Sequence, residues 1–210
     1  MSLRLVVLRH GSTEWNRERR YQGCLDTRLS TEGQAQAEAA ARRLAGRDLA
    51  ALYASPLARA QETASAIADH CELSVFLAPA FREICLGVWE GQTVPEVQAR
   101  FPELYAAWRE RPHTVAIPDG ESVAQVRERV LEGLAQLKAA HAGETICLVA
   151  HGVTIRLLIL EALGLPPERL WSFQVSPAAI SELEYGDGWA TAHRLNIPAH
   201  LDGLLGARRS

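Results

Sequence analysis

Short apolar runs alternate along this chain with longer amphipathic stretches, the pattern of an α/β domain on a mostly parallel sheet. Residues 3–8 read as a buried strand and 31–45 as a helix, with a Thr31/Gln34 capping box at its start and Gly46 at its stop. Residues 49–54 form a second strand. Ser55 then caps a helix running to about residue 70, with Pro56 at its first position, and 73–77 is a third strand.

The stretch 78–118 breaks this rhythm. It carries Trp89 and Trp108, several prolines and one helical run over 96–109, and reads as an insertion over the sheet edge. A helix over 122–141 follows, opened by a Ser122/Gln125 capping box. Then come a fourth buried strand at 145–150 and a helix at 153–163. The chain closes on a hairpin: 180–185, a Gly186-Asp187-Gly188 turn, and 189–195.

At 210 residues the chain suits one domain, residues 1–210, with 78–118 as a modest insertion. The formal charge of -3 and the lack of a basic run point away from nucleic acid and anionic lipid. Four scattered cysteines, Cys24, Cys71, Cys85 and Cys147, show no metal-like spacing. Read as free thiols, they suggest a reducing, cytoplasmic compartment. Residues 5–8 are too short for a signal-peptide core, and His151, Arg156 and Glu161 interrupt the apolar region 145–165, so no membrane span is expected. Lys138 is the only lysine, so any anion site must be built from arginine, histidine and backbone N–H groups.

Candidate chemistry begins at Arg9-His10-Gly11, directly after the first strand. In open α/β sheets, ligands bind beyond the carboxyl ends of strands. Gly11 there leaves no Cβ to keep a ligand from the backbone. The fourth strand ends the same way, in His151-Gly152, so neighbouring strands would place two imidazoles across one crevice. Arg59 falls in the first turn of its helix, where a cation opposes the dipole by a few tenths of a kcal/mol or so. A bound anion reverses that sign.

Together, Leu8-Arg9-His10-Gly11, Ser55-Pro56-Leu57-Ala58-Arg59-Ala60, Phe81-Arg82-Glu83-Ile84 with Gly87-Val88-Trp89-Glu90-Gly91, and Ala150-His151-Gly152 resemble the histidine phosphatase superfamily, in its phosphoglycerate-mutase-like branch. The resemblance runs from Leu3 to about Leu195, with the motifs in the family's order. It implies a three-layer α/β/α sandwich: a mostly parallel central sheet, a C-terminal antiparallel hairpin and a helical insertion capping the site. It further implies His10 as nucleophile, with Arg9, Arg59 and His151 on the phosphoryl oxygens and Glu83 as general acid. By the same resemblance Asn16, Gln22, Gly23 and Gly152 complete the phosphate pocket. No cofactor and no metal ligand are expected, since the arginines supply the positive charge. Trp15, Trp89 and Trp108 read as packing residues and Glu90 as the partner of an arginine. A homodimer is a family-level expectation.

The function so implied is hydrolysis of a small phosphorylated metabolite through phosphohistidine. A cofactor-dependent phosphoglycerate mutase is the alternative, for which Arg109, Arg111 and His113 could grip a second anion. The short insertion and Gly87-Val88-Trp89-Glu90-Gly91 look more like the phosphatases. A non-catalytic phosphate-binding module fits poorly with a full set of core residues. A metallohydrolase fits poorly with Arg9 beside His10.

Overall fold

In the computed structural model, which describes residues 1–198, strand β1 (Leu3–Arg9) runs down the middle of a six-stranded sheet. The strict alternation of its side chains divides the core. Leu3, Leu5 and Val7 face one apolar cluster, Val6 and Leu8 the other. Parallel to β1 lies β4 (Thr145–Ala150), then β2 (Ala51–Ala54), with β3 (Val75–Leu77) at the edge. On its other side β1 pairs antiparallel with β5 (Ala179–Tyr185), which turns through Gly186 into β6 (Ala190–Pro198). The domain expectation reaches residue 210, and 199–210 lie outside the described residues.

Helices cover both faces, so the sandwich has three layers. α1 (Glu14–Arg17) is a single turn after β1, while α2 (Thr31–Leu44) and α3 (Ala58–Cys71) bury Ala40, Ala41, Leu44, Ala64 and Ile67 on one face. The insertion contributes α4 (Val94–Arg100) and α5 (Pro102–Glu110). With them, α6 (Val123–Ala140) and α7 (Gly152–Ala162) bury the other face. A fully buried aliphatic side chain here contributes roughly 1.5–3 kcal/mol, so Leu8→Ala or Leu148→Ala would cost about 2–5 kcal/mol. Among the described residues no helix is long and apolar enough to cross a membrane.

Several local expectations are corrected. Ser30, not Thr31, caps α2, its side chain accepting from the Gly33 N–H at 3.1 Å. No Thr31/Gln34 box forms, because Thr31 is already inside the first turn. Ser55 does not cap α3 either. The helix starts at Ala58 after Leu57, which offers no side-chain cap; the Asp26 carboxylate accepts from the Ala58 N–H instead. The expected run 96–109 is two helices, because Pro102 brings no N–H with which to continue α4. The Ser122/Gln125 box is present in both directions.

The cysteines also differ from expectation. Cys24 and Cys85 form a disulfide across 61 residues of sequence, their Cα atoms 4.7 Å apart, while Cys71 and Cys147 stay free. Nothing in the spacing announces the pair, since packing of the insertion against the loop after β1 creates it.

Candidate active site

Three neighbouring parallel strands end side by side, and the residue after each carries a polar side chain. These are His10 after β1, His151 after β4 and Ser55 after β2. The ends are locked by the ladder: the His10 N–H donates to the Ala150 carbonyl and the Ser55 N–H to that of Val149. The two imidazoles stand with ring centroids 5.1 Å apart, as the paired His-Gly ends predict.

His10 is almost wholly buried, and its Nδ1 lies 2.7 Å from its neighbour's carbonyl, Gly11 O. A carbonyl only accepts, so the proton sits on Nδ1 and Nε2 keeps its lone pair. Burial, and after it the charges of Arg59 and Arg9, hold the His10 pKa well below the usual imidazole value. Gly11 serves packing rather than ligand approach. A Cβ there would sit 2.3 Å from the Gly33 carbonyl oxygen of α2.

His151 lies fully buried behind, its Nε2 2.6 Å from Ser55 Oγ and its Nδ1 without a partner. Burial and the cations around it likewise lower its pKa well below the ordinary value. Arg9 and Arg59 are anchored through backbone carbonyls. Arg9 Nη1 donates to Val175 O, and the Arg59 η-nitrogens to Leu25 O and Gly23 O, each at 2.8 Å. No carboxylate forms an ion pair with either among the described residues. Burial draws Arg59 down to about 10, so it stays charged at neutral pH. Arg9 is lowered by burial and held up in part by Glu83. Two guanidinium ions beside one imidazole, with no direct ion pair and Glu83 only partly offsetting them, make the pocket electropositive and suited to an anion.

Gly23 needs its glycine: it has φ +53°, and a Cβ would strike the Glu90 carboxylate, which accepts from the N–H groups of Cys24 and Leu86. Glu90 thus ties two loops together rather than partnering an arginine. The Cys24–Cys85 bond ties the same loops. Its sulfurs, with Glu90, form the single metal-like grouping among the described residues, and both are already covalently engaged.

Arg9, His10 and Arg59 line one pocket with Asn16, Gln22, Gly23, Glu83 and Gly152. Asn16 Oδ1 serves the α1 capping box with Thr13, and Gln22 Oε1 accepts from Thr27. The Glu83 carboxylate accepts from the Val153 N–H in the first turn of α7 and from its own neighbour Ile84. Its backbone is held by Arg129, itself paired to Glu121 beside Arg82.

The pocket residues that escaped the sequence reading include Arg20, Tyr21, Arg156 and Trp171. Arg156 did carry a signal, as the single cation in the otherwise apolar first turns of α7. Trp89 is core, as expected, whereas Trp108 also lines the pocket. Arg109, Arg111 and His113 do not. Arg109 lies over Trp171, Arg111 is exposed, and His113 faces Glu168.

A mostly parallel α/β sandwich with a buried histidine at a strand end and two arginines beside it in one pocket is an enzyme scaffold suited to a phosphoryl group. The profile of the histidine phosphatase superfamily (branch 1) matches residues 5–198, and the chain belongs to that family. Phosphoserine phosphatase 1 of Hydrogenobacter thermophilus is 36% identical over 199 residues, covering 95% of this chain and 94% of that protein. Probable phosphoglycerate mutase GpmB of Enterobacter sp. is 33% identical over 210 residues, covering 95% of each. The solved structure of a mycobacterial glucosyl-3-phosphoglycerate phosphatase superposes with a TM-score of 0.86 at 33% identity, over 94% of this chain and all of that one.

Proposed function

We propose that this chain hydrolyses a small phosphorylated metabolite in two steps, with His10 Nε2 as the acceptor of the phosphoryl group. The observation that carries the reading is the fixed tautomer of His10: Nδ1 is bound by Gly11 O, and Nε2 is the ring nitrogen left for chemistry beside Arg9 and Arg59. In the first step the N–P bond forms as the ester O–P bond breaks. Arg9, Arg59 and the Nδ1–H of His151 take the phosphoryl oxygens, and Glu83 gives its proton to the leaving oxygen. In the second, water attacks phosphorus, Glu83 takes the water's proton, and neutral His10 returns with release of phosphate. The expected result is acid-labile phosphate on the wild-type protein during turnover, missing in His10→Ala. Full activity in that variant would end the proposal.

The mutase alternative needs a grip on a second phosphate. The three insertion cations that could supply it stand outside the pocket. Phosphate release should therefore far exceed interconversion of 2- and 3-phosphoglycerate, even with bisphosphoglycerate present.

We also infer one domain with 78–118 as the roof of the site, a cytoplasmic location and a homodimer. The free thiols Cys71 and Cys147 support the location, while the Cys24–Cys85 pair weighs against it. Edge strand β3 exposes Phe76 and Leu77, 53% and 54% accessible, a surface suited to a second copy. Sedimentation of the wild type against Phe76→Glu tests the dimer.

A further inference from the structure

The pocket holds a third guanidinium, half-buried, that the phosphoryl chemistry does not use. Arg156 stands one turn into α7, with Nε bound to Phe173 O and Nη1 to Gly152 O, both at 3.0 Å. Its guanidinium lies 5.2 Å from the ring centroid of Trp171, whose Nε1 is fixed on Trp108 O. Burial, with repulsion from Arg9 and partly offset by Glu83, draws its pKa down to about 10, so it remains a cation. Among the described residues it makes no ion pair. Glu83 is the one carboxylate acting on it, and the same carboxylate already offsets Arg9 and Arg59, so three guanidinium groups draw on its single negative charge and the pocket keeps an excess of positive charge for a substrate to meet.

Its position says which part of the substrate would bring that charge. A Cβ on Gly152 would lie 3.2 Å from Arg156 Nη1 and 3.4 Å from Glu83 Oε2, so the guanidinium flanks the group proposed to protonate the leaving oxygen. Arg156 is therefore on the leaving-group side, where Trp108, Trp171 and Leu86 supply apolar walls. Two of its five N–H groups are engaged by backbone carbonyls, which leaves three, including both on Nη2. That suffices for one planar monoanion. Arg20, which also lines the pocket, is already held by Glu18 and Gly91 O, so a second phosphate dianion would find too few donors.

Building on the phosphatase reading, we propose that Arg156 is a specificity residue that binds a carboxylate of the leaving group, making phosphorylated hydroxy- or amino-acids the preferred substrate class. Sugar and nucleoside phosphates without a carboxylate leave Arg156 unpaired and are turned over less efficiently.

The test uses two matched pairs that differ at the carboxylate: O-phosphoserine against O-phosphoethanolamine, and 3-phosphoglycerate against glycerol 3-phosphate. Wild-type kcat/KM should favour the carboxylate member about 10- to 100-fold, the range of a charge-assisted hydrogen-bonded contact, with most of the difference in KM. In Arg156→Gln that ratio should collapse toward 1, and Arg156→Lys should restore part of it. Hydrolysis of p-nitrophenyl phosphate by each variant shows that the fold and phosphoryl site survive. A wild type without preference overturns the proposal, as does a variant that loses activity equally on both members of a pair. If no ester is hydrolysed and no phosphohistidine forms, the phosphatase reading itself fails, and this one with it.

Discussion

Ser55 Oγ lies 2.6 Å from His151 Nε2, beyond the ends of two adjacent strands. The Leu57 N–H donates to the same Oγ at 3.3 Å, which leaves the serine hydroxyl proton free to point at the imidazole. The His151 proton then sits on Nδ1, the buried atom with no partner, ready to donate to an anion. Ser55 is thus a positioning residue. Ser55→Ala should lower kcat/KM by about tenfold, the size of one lost hydrogen bond of this kind. Nitrogen NMR of the free enzyme should show the tautomer equilibrium of His151 released, with the His10 signals unmoved. Unchanged kinetics and an unchanged tautomer would remove Ser55 from the machinery.

Acid should reveal the two buried imidazoles. Both folded-state pKa values lie well below the unfolded value of about 6.5. The unfolded chain therefore binds these protons first as pH falls. Stability is complete above about pH 6.5 and declines below it, by up to about 1.4 kcal/mol per pH unit for each imidazole. Urea unfolding at pH 7.5, 6 and 5 should show this slope, and His151→Gln should flatten it. A midpoint constant across that window would mean that the imidazoles are not held neutral. Because His10 keeps its lone pair in mild acid, phosphorylation should also persist there.

What the sequence made legible follows from how local each signal was. The strand ends at His10 and His151 were readable because buried runs stop at a His-Gly step, and the parallel ladder then places the rings together. Ser55 was misread because serine followed by proline is also how helices begin. Whether its hydroxyl turns to its own helix or to the next strand is decided by tertiary contact alone. Arg156 gave only a single cation in a mainly apolar helix, and its meaning depends on the Phe173 and Gly152 carbonyls that hold it. Glu83 needed the family motif, since a single acid in a loop has no periodicity to mark it.

The Cys24–Cys85 link should be measurable as stability. Closing a segment of 61 residues is worth about 4 kcal/mol in the chain-entropy picture. Treatment with a phosphine reductant should lower the Tm by several degrees in the wild type. In Cys24→Ser/Cys85→Ser the reductant should have no effect. Mass spectrometry of the unreduced chain should find these two peptides joined. An identical wild-type Tm with and without reductant would show that the link contributes nothing.

Glu83 carries the sharpest kinetic prediction. Its carboxylate is held by the Val153 and Ile84 N–H groups, and the residue lines the same pocket as His10. An alkoxide leaves only with a proton, whereas p-nitrophenolate leaves readily without one. Glu83→Gln keeps the shape and removes the acid, so it should slow phosphorylation of His10 by alkyl phosphates by roughly 10²–10⁴-fold. With p-nitrophenyl phosphate the same step should slow far less. The contrast must be read on the first half-reaction, by rapid-quench or burst kinetics, because dephosphorylation also uses Glu83 and would mask it in the steady state. An equal slowing for both esters would make Glu83 a holder of the α7 N-terminus rather than a proton donor.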